Sequence, residues 1–224
     1  ATRVDASQLI EKGRENLMLY SQDWTNAAWN KTNISVSGDA ISNPINSANT
    51  ADSILETTGN GQHNFFQLIG SYSSGVPITI SFYAKANGRT KLRMNNGSSA
   101  FTAVFDLVQV TAQMAAGIGI PIITSVGNDW YRCSLFFSGT AGNQYLAMNF
   151  RNDLNQDVYV GDVTKGMYFF GAQAELGLVA TDYIESGATT GKAGILENTP
   201  RFDYSGGATC PSLLLEPSRT NLFT

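Results

Sequence analysis

The stretch that most constrains the fold lies at residues 167–184. Within it Tyr168, Phe170, Ala172, Ala174 and Leu176 share one parity, and Phe169, Gly171, Gln173 and Glu175 share the other. Side chains alternate faces along a strand, so this pattern predicts one long β-strand with an apolar face to bury and a partly polar face beside it. Such a strand needs a second layer to cover it, which reads as the closing strand of a sandwich. Gly177 then breaks the run, and Thr181, Asp182, Tyr183 and Ile184 carry the chain out of the fold.

The preceding residues supply partners for that strand. Residues 76–86 are the clearest: Ile78, Ile80, Phe82, Ala84 and Ala86 take one face, and Thr79, Ser81, Tyr83 and Lys85 the other. Residues 89–95 repeat the pattern, with Leu92 and Met94 inward and Lys91, Arg93 and Asn95 outward. Further strands are expected at 32–36, 53–57, 64–69, 101–110, 129–138, 144–151 and 157–163, while 112–119 allows a helical turn. With residues 16–19 and 24–29 as an entry segment, the pattern is an all-β, two-sheet antiparallel sandwich of the jelly-roll kind. Its expected bounds are residues 14–186, with connector segments at 1–13 and 187–224.

Composition supports a packed domain. A chain of 224 residues that is 42% hydrophobic and 14% charged can bury a proper core, and its 22 glycines suit many short turns. The net charge of -4 disfavours a nucleic-acid partner. No apolar run is long enough for a membrane span, and none reads as a signal peptide. Cys133, in an apolar strand, and Cys210, in a connector, read as two free thiols. The start at Ala1, without Met, suggests a processed product or an excised fragment.

The ends of the chain resemble each other. Arg3-Val4-Asp5-Ala6-Ser7 returns as Arg201-Phe202-Asp203-Tyr204-Ser205. Leu9, Glu11, Arg14, Asn16 and Leu17 are matched in type and spacing by Leu214, Glu216, Arg219, Asn221 and Leu222. A chain that opens with one connector and ends inside the next is what a tandem array of modules predicts; two similar surface loops of a single protein are the alternative.

Several blocks carry a family likeness. Asn16-Leu17 with Tyr20-Ser21 and Trp29, Ser81-Phe82-Tyr83-Ala84-Lys85-Ala86, Asp129-Trp130-Tyr131-Arg132-Cys133, Gly171-Ala172-Gln173-Ala174-Glu175 and Ala180-Thr181-Asp182-Tyr183-Ile184 resemble recurrent blocks of jelly-roll modules in tailed-bacteriophage fibre and spike proteins. The segment from Pro200 through Cys210-Pro211 to Arg219-Thr220-Asn221-Leu222 is similar to the connector that joins such modules. The resemblance implies a carbohydrate-binding-module-like fold in an extracellular virion appendage. It also implies host-surface glycan and other virion proteins as partners, and a homo-oligomer, taken as a trimer. With no catalytic apparatus on either side of the organising strand, a non-catalytic role is expected. The alternatives are a structural spacer or decoration domain, and a glycan-degrading enzyme.

The residues that invite chemistry are few. His63 is the single histidine, in the turn Gly59-Asn60-Gly61-Gln62-His63-Asn64; with no nucleophile motif beside it, a structural hydrogen-bonding role is expected. Asp129, Asp153, Asp157, Asp162 and Asp182 lie near turns and strand ends, where Asp commonly bonds local backbone, so no catalytic pair is assigned. Gln173 and Glu175 are expected to satisfy backbone groups where the chain leaves the sandwich. No cofactor and no metal site is assigned, although Asp23 or Glu175 would suit a structural calcium. Sugar C–H faces stack on flat rings while amides, guanidinium groups and carboxylates bond the hydroxyls. Trp29 and Trp130 read as core. Trp24, Tyr72 and Tyr145, beside polar turns, are candidate carbohydrate platforms, and Tyr83, Arg93, Arg132, Asn149 and Arg151 a candidate groove on the outward sheet face.

Overall fold

A computed structural model describes residues 2–4, 10–98, 100–193, 202–203 and 212–213. The chain divides into two units, Glu15–Lys192 and a second one made of Ala1–Arg14 with Ala193–Thr224. In the second unit Thr2–Val4 pairs antiparallel with Ile10–Lys12, and Phe202–Asp203 with Ser212–Leu213. Val4 and Phe202, matched in the repeat, thus each sit in a short ladder. Leu9 and the matched residues from Leu214 to Leu222 lie outside the described residues, as does Cys210.

The larger unit is a two-layer sandwich. One sheet contains β1 (Asn30–Thr32), β4 (Asn64–Tyr72), β6 (Lys91–Asn95), β7 (Thr102–Asp106), β8 (Thr111–Ala116) and β11 (Gly142–Arg151), in the order β8-β7-β6-β11-β4-β1. The other contains β2 (Ile34–Ser42), β3 (Asn49–Glu56), β5 (Pro77–Asn87), β9 (Gly119–Gly127), β10 (Trp130–Ser138) and β12 (Gly166–Leu176), in the order β9-β10-β5-β12-β3-β2. Neighbours within both sheets run antiparallel. The chain crosses between layers at β3–β4–β5–β6 and again at β10–β11–β12, the crossovers of a jelly-roll sandwich.

Alternation explains the core. Ile78, Ile80, Phe82 and Ala84 of β5 face Leu92 and Met94 of β6 and Leu146, Met148 and Phe150 of β11 across the interior. Phe65 packs edge-on against Phe169 (centroids 5.0 Å apart) and against Trp24 (5.4 Å), which lies on Trp29 at 4.1 Å. Each such ring removed from water contributes on the order of 2–3 kcal/mol. Trp29 is therefore core as expected, and Cys133 is a free thiol whose burial pushes its pKa up.

β12 departs from its simple alternation. Met167 and Phe169 face the main core, and so do Ala172 and Ala174, whereas Phe170 faces outward with Tyr168. The parity reverses because a bulge sits between Phe170 and Gln173, where the pairing with β5 shifts. Gly171 makes it possible with φ of 64°, and a Cβ there would meet Tyr83 and Tyr183 carbons at 3.2 Å. The single apolar face expected over the whole strand is thus two half-faces.

Three other expectations change. Residues 112–119 are the edge strand β8 followed by a crossing to β9, not a helical turn, because Ala112 and Met114 pack on the core while Thr111, Gln113 and Ala115 are exposed. The strand expected over 101–110 stops at Asp106, whose Oδ1 accepts from Val108 N and Gln109 N and closes a turn. In 157–163 only Tyr159–Val160 is extended, paired with Asn60–Gly61.

Over β12 and the adjoining part of β5 the second sheet's outer face is covered by residues 16–21 and 181–186, while its β9 edge stays open. Asn16, fully buried, donates through Nδ2 to Ala172 O (2.9 Å) and Ile184 O (2.8 Å) and accepts at Oδ1 from Met18 N and Ala174 N, both at 3.1 Å. Ser21 Oγ lies 2.6 Å from Tyr183 Oη and accepts from Ser186 N at 2.9 Å. Gln173 and Glu175 do satisfy backbone here: Gln173 Oε1 accepts from Ile184 N (2.7 Å), and Glu175 Oε2 accepts from Thr181 N (3.0 Å).

Candidate functional site

Among the described residues of the larger unit, none covers the cleft on the first sheet's outer face, and strand register sets what stands there. On β11 the inward residues are Leu146, Met148 and Phe150, so Tyr145, Ala147, Asn149 and Arg151 point outward. Pairing aligns them with neighbours: one rung across the face reads Gln113, Val104, Arg93, Asn149, Asn64, and the next Thr102, Asn95, Ala147, Phe66. Ala147, the smallest side chain in the second rung, forms a floor. Phe66 and Tyr145 rise beside it with rings edge-to-face, 5.9 Å apart at 77°. Gly97, at φ of 86°, closes the rim so tightly against the Tyr145 ring that a Cβ would collide with it.

The result is an open cleft of about 350 Å³ lined by Gln62, Asn64, Phe66, Arg93, Asn95, Gly97, Ser98, Thr102, Tyr145, Ala147 and Asn149. Among the described residues, Arg93 is its single charged lining residue. Its Nη1 bonds Asp157 Oδ2 at 2.8 Å, and Arg151 Nε stands 3.0 Å from Asp157 Oδ1, close enough to pair electrostatically although misaligned for a hydrogen bond. Two guanidinium groups therefore share one carboxylate. Beside the cleft, Lys91 pairs with Asp106 at 3.6 Å at the edge of a second recess of about 210 Å³. Asn149 is 3% exposed, yet its Oδ1 has no hydrogen-bond partner, and the same holds for Asn64 Oδ1 and Arg93 Nε. Such unpaired buried groups cost on the order of 1–3 kcal/mol each unless a ligand or water meets them.

The structure separates the sequence candidates. Arg93, Tyr145 and Asn149 line the cleft, and Arg151 stands next to it. Tyr83 and Arg132 do not belong to this group: they lie on the outer face of the other sheet, paired across β5 and β10. Tyr83 is 7% exposed, packed with Trp130 and Phe170, and Arg132 lies over its ring and donates through Nη2 to Thr181 O. Trp24 offers no surface to a ligand, since it is fully buried with its backbone N bonded to Asp52. Tyr72 is half-buried against the core at the far end of β4. Reasoning from sequence missed Phe66, Asn64, Asn95 and Ala147. An outward parity was readable for Asn95, but the register that brings these strands side by side was not.

His63 lies elsewhere. It is fully buried, with Nδ1 3.0 Å from Asn33 O and Nε2 3.3 Å from Tyr159 O, and burial holds its pKa down. Its neighbour Tyr159 donates to Glu56 Oε1 at 2.6 Å, and Glu56 forks Arg89 at 2.6 and 2.9 Å. Burial pushes the Glu56 carboxyl up, but the bonds from Arg89, Tyr159 and Asp162 N outweigh it and leave the pKa below the usual value. Among the exposed aspartates, Asp153 pairs with Lys165 at 3.0 Å and Asp162 caps Thr164. Asp23 Oδ1 accepts from Thr25 N at 3.0 Å.

No family model matches the chain, and no curated protein sequence matches it. Among solved structures it is similar to the enzymatically active domain of tailspike protein 4 of bacteriophage CBA120 (18% identity, TM-score 0.43), covering 73% of this chain and 21% of that one. It is also similar to the CBM22-1–GH10 modules of Clostridium thermocellum endo-1,4-beta-D-xylanase 10B, complexed with xylohexaose (12% identity, TM-score 0.41), covering 79% of this chain and 30% of that one. The chain thus spans less than a third of either. The sequence expectation of a non-catalytic role is withdrawn, since one of these structures is described as an enzymatically active domain.

Proposed function

We propose that the chain binds carbohydrate in the cleft over Ala147, as part of a bacteriophage fibre or spike that displays it in several copies. The observation that carries this reading is the Asn149 amide, nearly excluded from water and unpaired at Oδ1, set between an aromatic pair and a guanidinium group. Phe66 and Tyr145 supply ring faces and edges for a pyranose, and the amides supply donors and acceptors for its hydroxyls. The virion setting rests on the sequence blocks that resemble fibre and spike modules. Display in copies would multiply a weak site through effective concentration.

A glycan array probed with the whole chain tests this. Binding is expected, and Tyr145→Ala and Asn149→Leu should each lower it by about tenfold or more, roughly 1.4 kcal/mol, while the unfolding midpoint stays within a few degrees. An array without signal, or a signal untouched by both substitutions, would overturn the reading. Sugar release, followed chromatographically in the same incubations, reports whether bound glycan is also cut.

A second reading, contact with a neighbouring protein, is favoured by one observation. Ile120, Ile122, Leu178 and Val179 are each at least half exposed and line one recess on the outer face of the second sheet. A monomeric mass by light scattering that is unchanged by Ile122→Ser would argue against self-contact there.

A further inference from the structure

We infer that the cleft selects acidic glycans, seating a ligand carboxylate on Arg93; this rests on the carbohydrate reading above and names its ligand class. The chain as a whole is acidic, with a net charge of -4, yet the single charged residue among the described ones lining the cleft is cationic. Nor is that cation neutralised. Arg93 and Arg151 divide Asp157 between them, and Lys91 is balanced by Asp106, which leaves this patch of five charges one positive unit in excess.

The geometry indicates how the excess is presented. Asp157 takes Nη1 of Arg93, and Nε is unpaired but shut off from solvent, so the quarter of the side chain that stays exposed is what a ligand meets. A carboxylate at a guanidinium group makes charge-assisted bonds, shorter and stronger than bonds between neutral groups. Arg93 is paired across the strands with Asn149, so its neighbour in the rung is an amide able to donate to the same carboxylate or to an adjacent hydroxyl. A neutral sugar would meet the aromatic pair and the amides but leave the guanidinium charge unmatched. A uronic or sialic acid matches both. Such discrimination is large where a buried polar group is otherwise left unpaired.

The test uses the whole chain on an array in which uronate- and sialate-bearing glycans stand beside the same glycans with their carboxyls reduced to alcohols. Acidic members are expected to bind at least about tenfold more tightly than their reduced partners. Arg93→Gln should remove that preference, Arg93→Lys should keep part of it because the charge remains without the fork, and thermal unfolding checks that each variant folds. On the unmodified chain, raising NaCl from 50 to 500 mM should weaken the acidic members and spare the reduced ones. Equal binding of both members of each pair, lost in Tyr145→Ala, would overturn the acidic preference while leaving the carbohydrate reading standing. Absence of binding to every member would sink both.

Discussion

On one sheet Tyr83, Trp130 and Phe170 point outward and are covered, with Tyr183 laid against Phe170 at 5.3 Å. On the other, Arg93, Tyr145 and Asn149 point outward and are left open as the lining of a cleft. Both faces come from the same pleat, so the difference lies in what the following chain does. Where residues 177–186 fold back, outward aromatics become a second small core. Where no described residue folds back, polar groups keep unpaired atoms. The covered face contributes stability, and the open one carries the proposed binding cleft.

The sharpest way to break this comparison is Asn16→Ala. Its amide makes four bonds that tie the bulge in β12 to Ile184, and their loss strands buried donors and acceptors. Urea unfolding should show a loss of about 4 kcal/mol, with glycan binding in the still-folded fraction unchanged. A loss under 1 kcal/mol would mean that the cover contributes little. Gly171→Ala comes next: a Cβ at positive φ against two tyrosine rings should cost about 2 kcal/mol by the same measurement.

The smallest effect concerns charge. On the open face ionised groups stand partly in water, whereas Asp52, on β3 of the covered sheet, is 1% exposed and its carboxyl is pushed up to about 6, mainly by burial and despite bonds from Asp39 N and Trp24 N. A carboxyl whose pKa is higher folded than unfolded penalises the fold while ionised, so its contribution to stability grows as the pH falls through 6. Between pH 7 and pH 5 Asp52 should add about 1 kcal/mol to unmodified protein relative to Asp52→Asn, measured by denaturation at both values. A difference of opposite sign would show that the bonds to Trp24 and Asp39 outweigh burial.

How far the sequence could be read follows the same physics. Alternation in residues 78–84, 92–94 and 146–150 is local, so the core strands and the outward placing of Arg93, Asn149 and Arg151 were legible, while Tyr145 was found through the polar turn beside it. Trp24 was misread because Gln22 and Asp23 suggested a wet turn, whereas Asp52, distant in sequence, satisfies the tryptophan's backbone and lets its ring go inside. β9 escaped notice because Pro121 and flanking glycines argue against a strand, and yet an edge strand tolerates a proline. Tyr83 and Arg132 were grouped with Arg93 because parity gives a face but not which sheet owns it. Phe66 was not singled out within 64–69; only its register opposite Ala147 places it at the cleft.

The extra residue at Gly171 has one more consequence. Sliding β12 by a single position against β5 would take Phe169 out of the main core to the outer face in its first half and turn Gln173 and Glu175 into the oily interior in its second. Because the two halves are out of phase, no shifted alignment rescues either, so the kink serves as an index mark that lets the chain find only one setting against its neighbours.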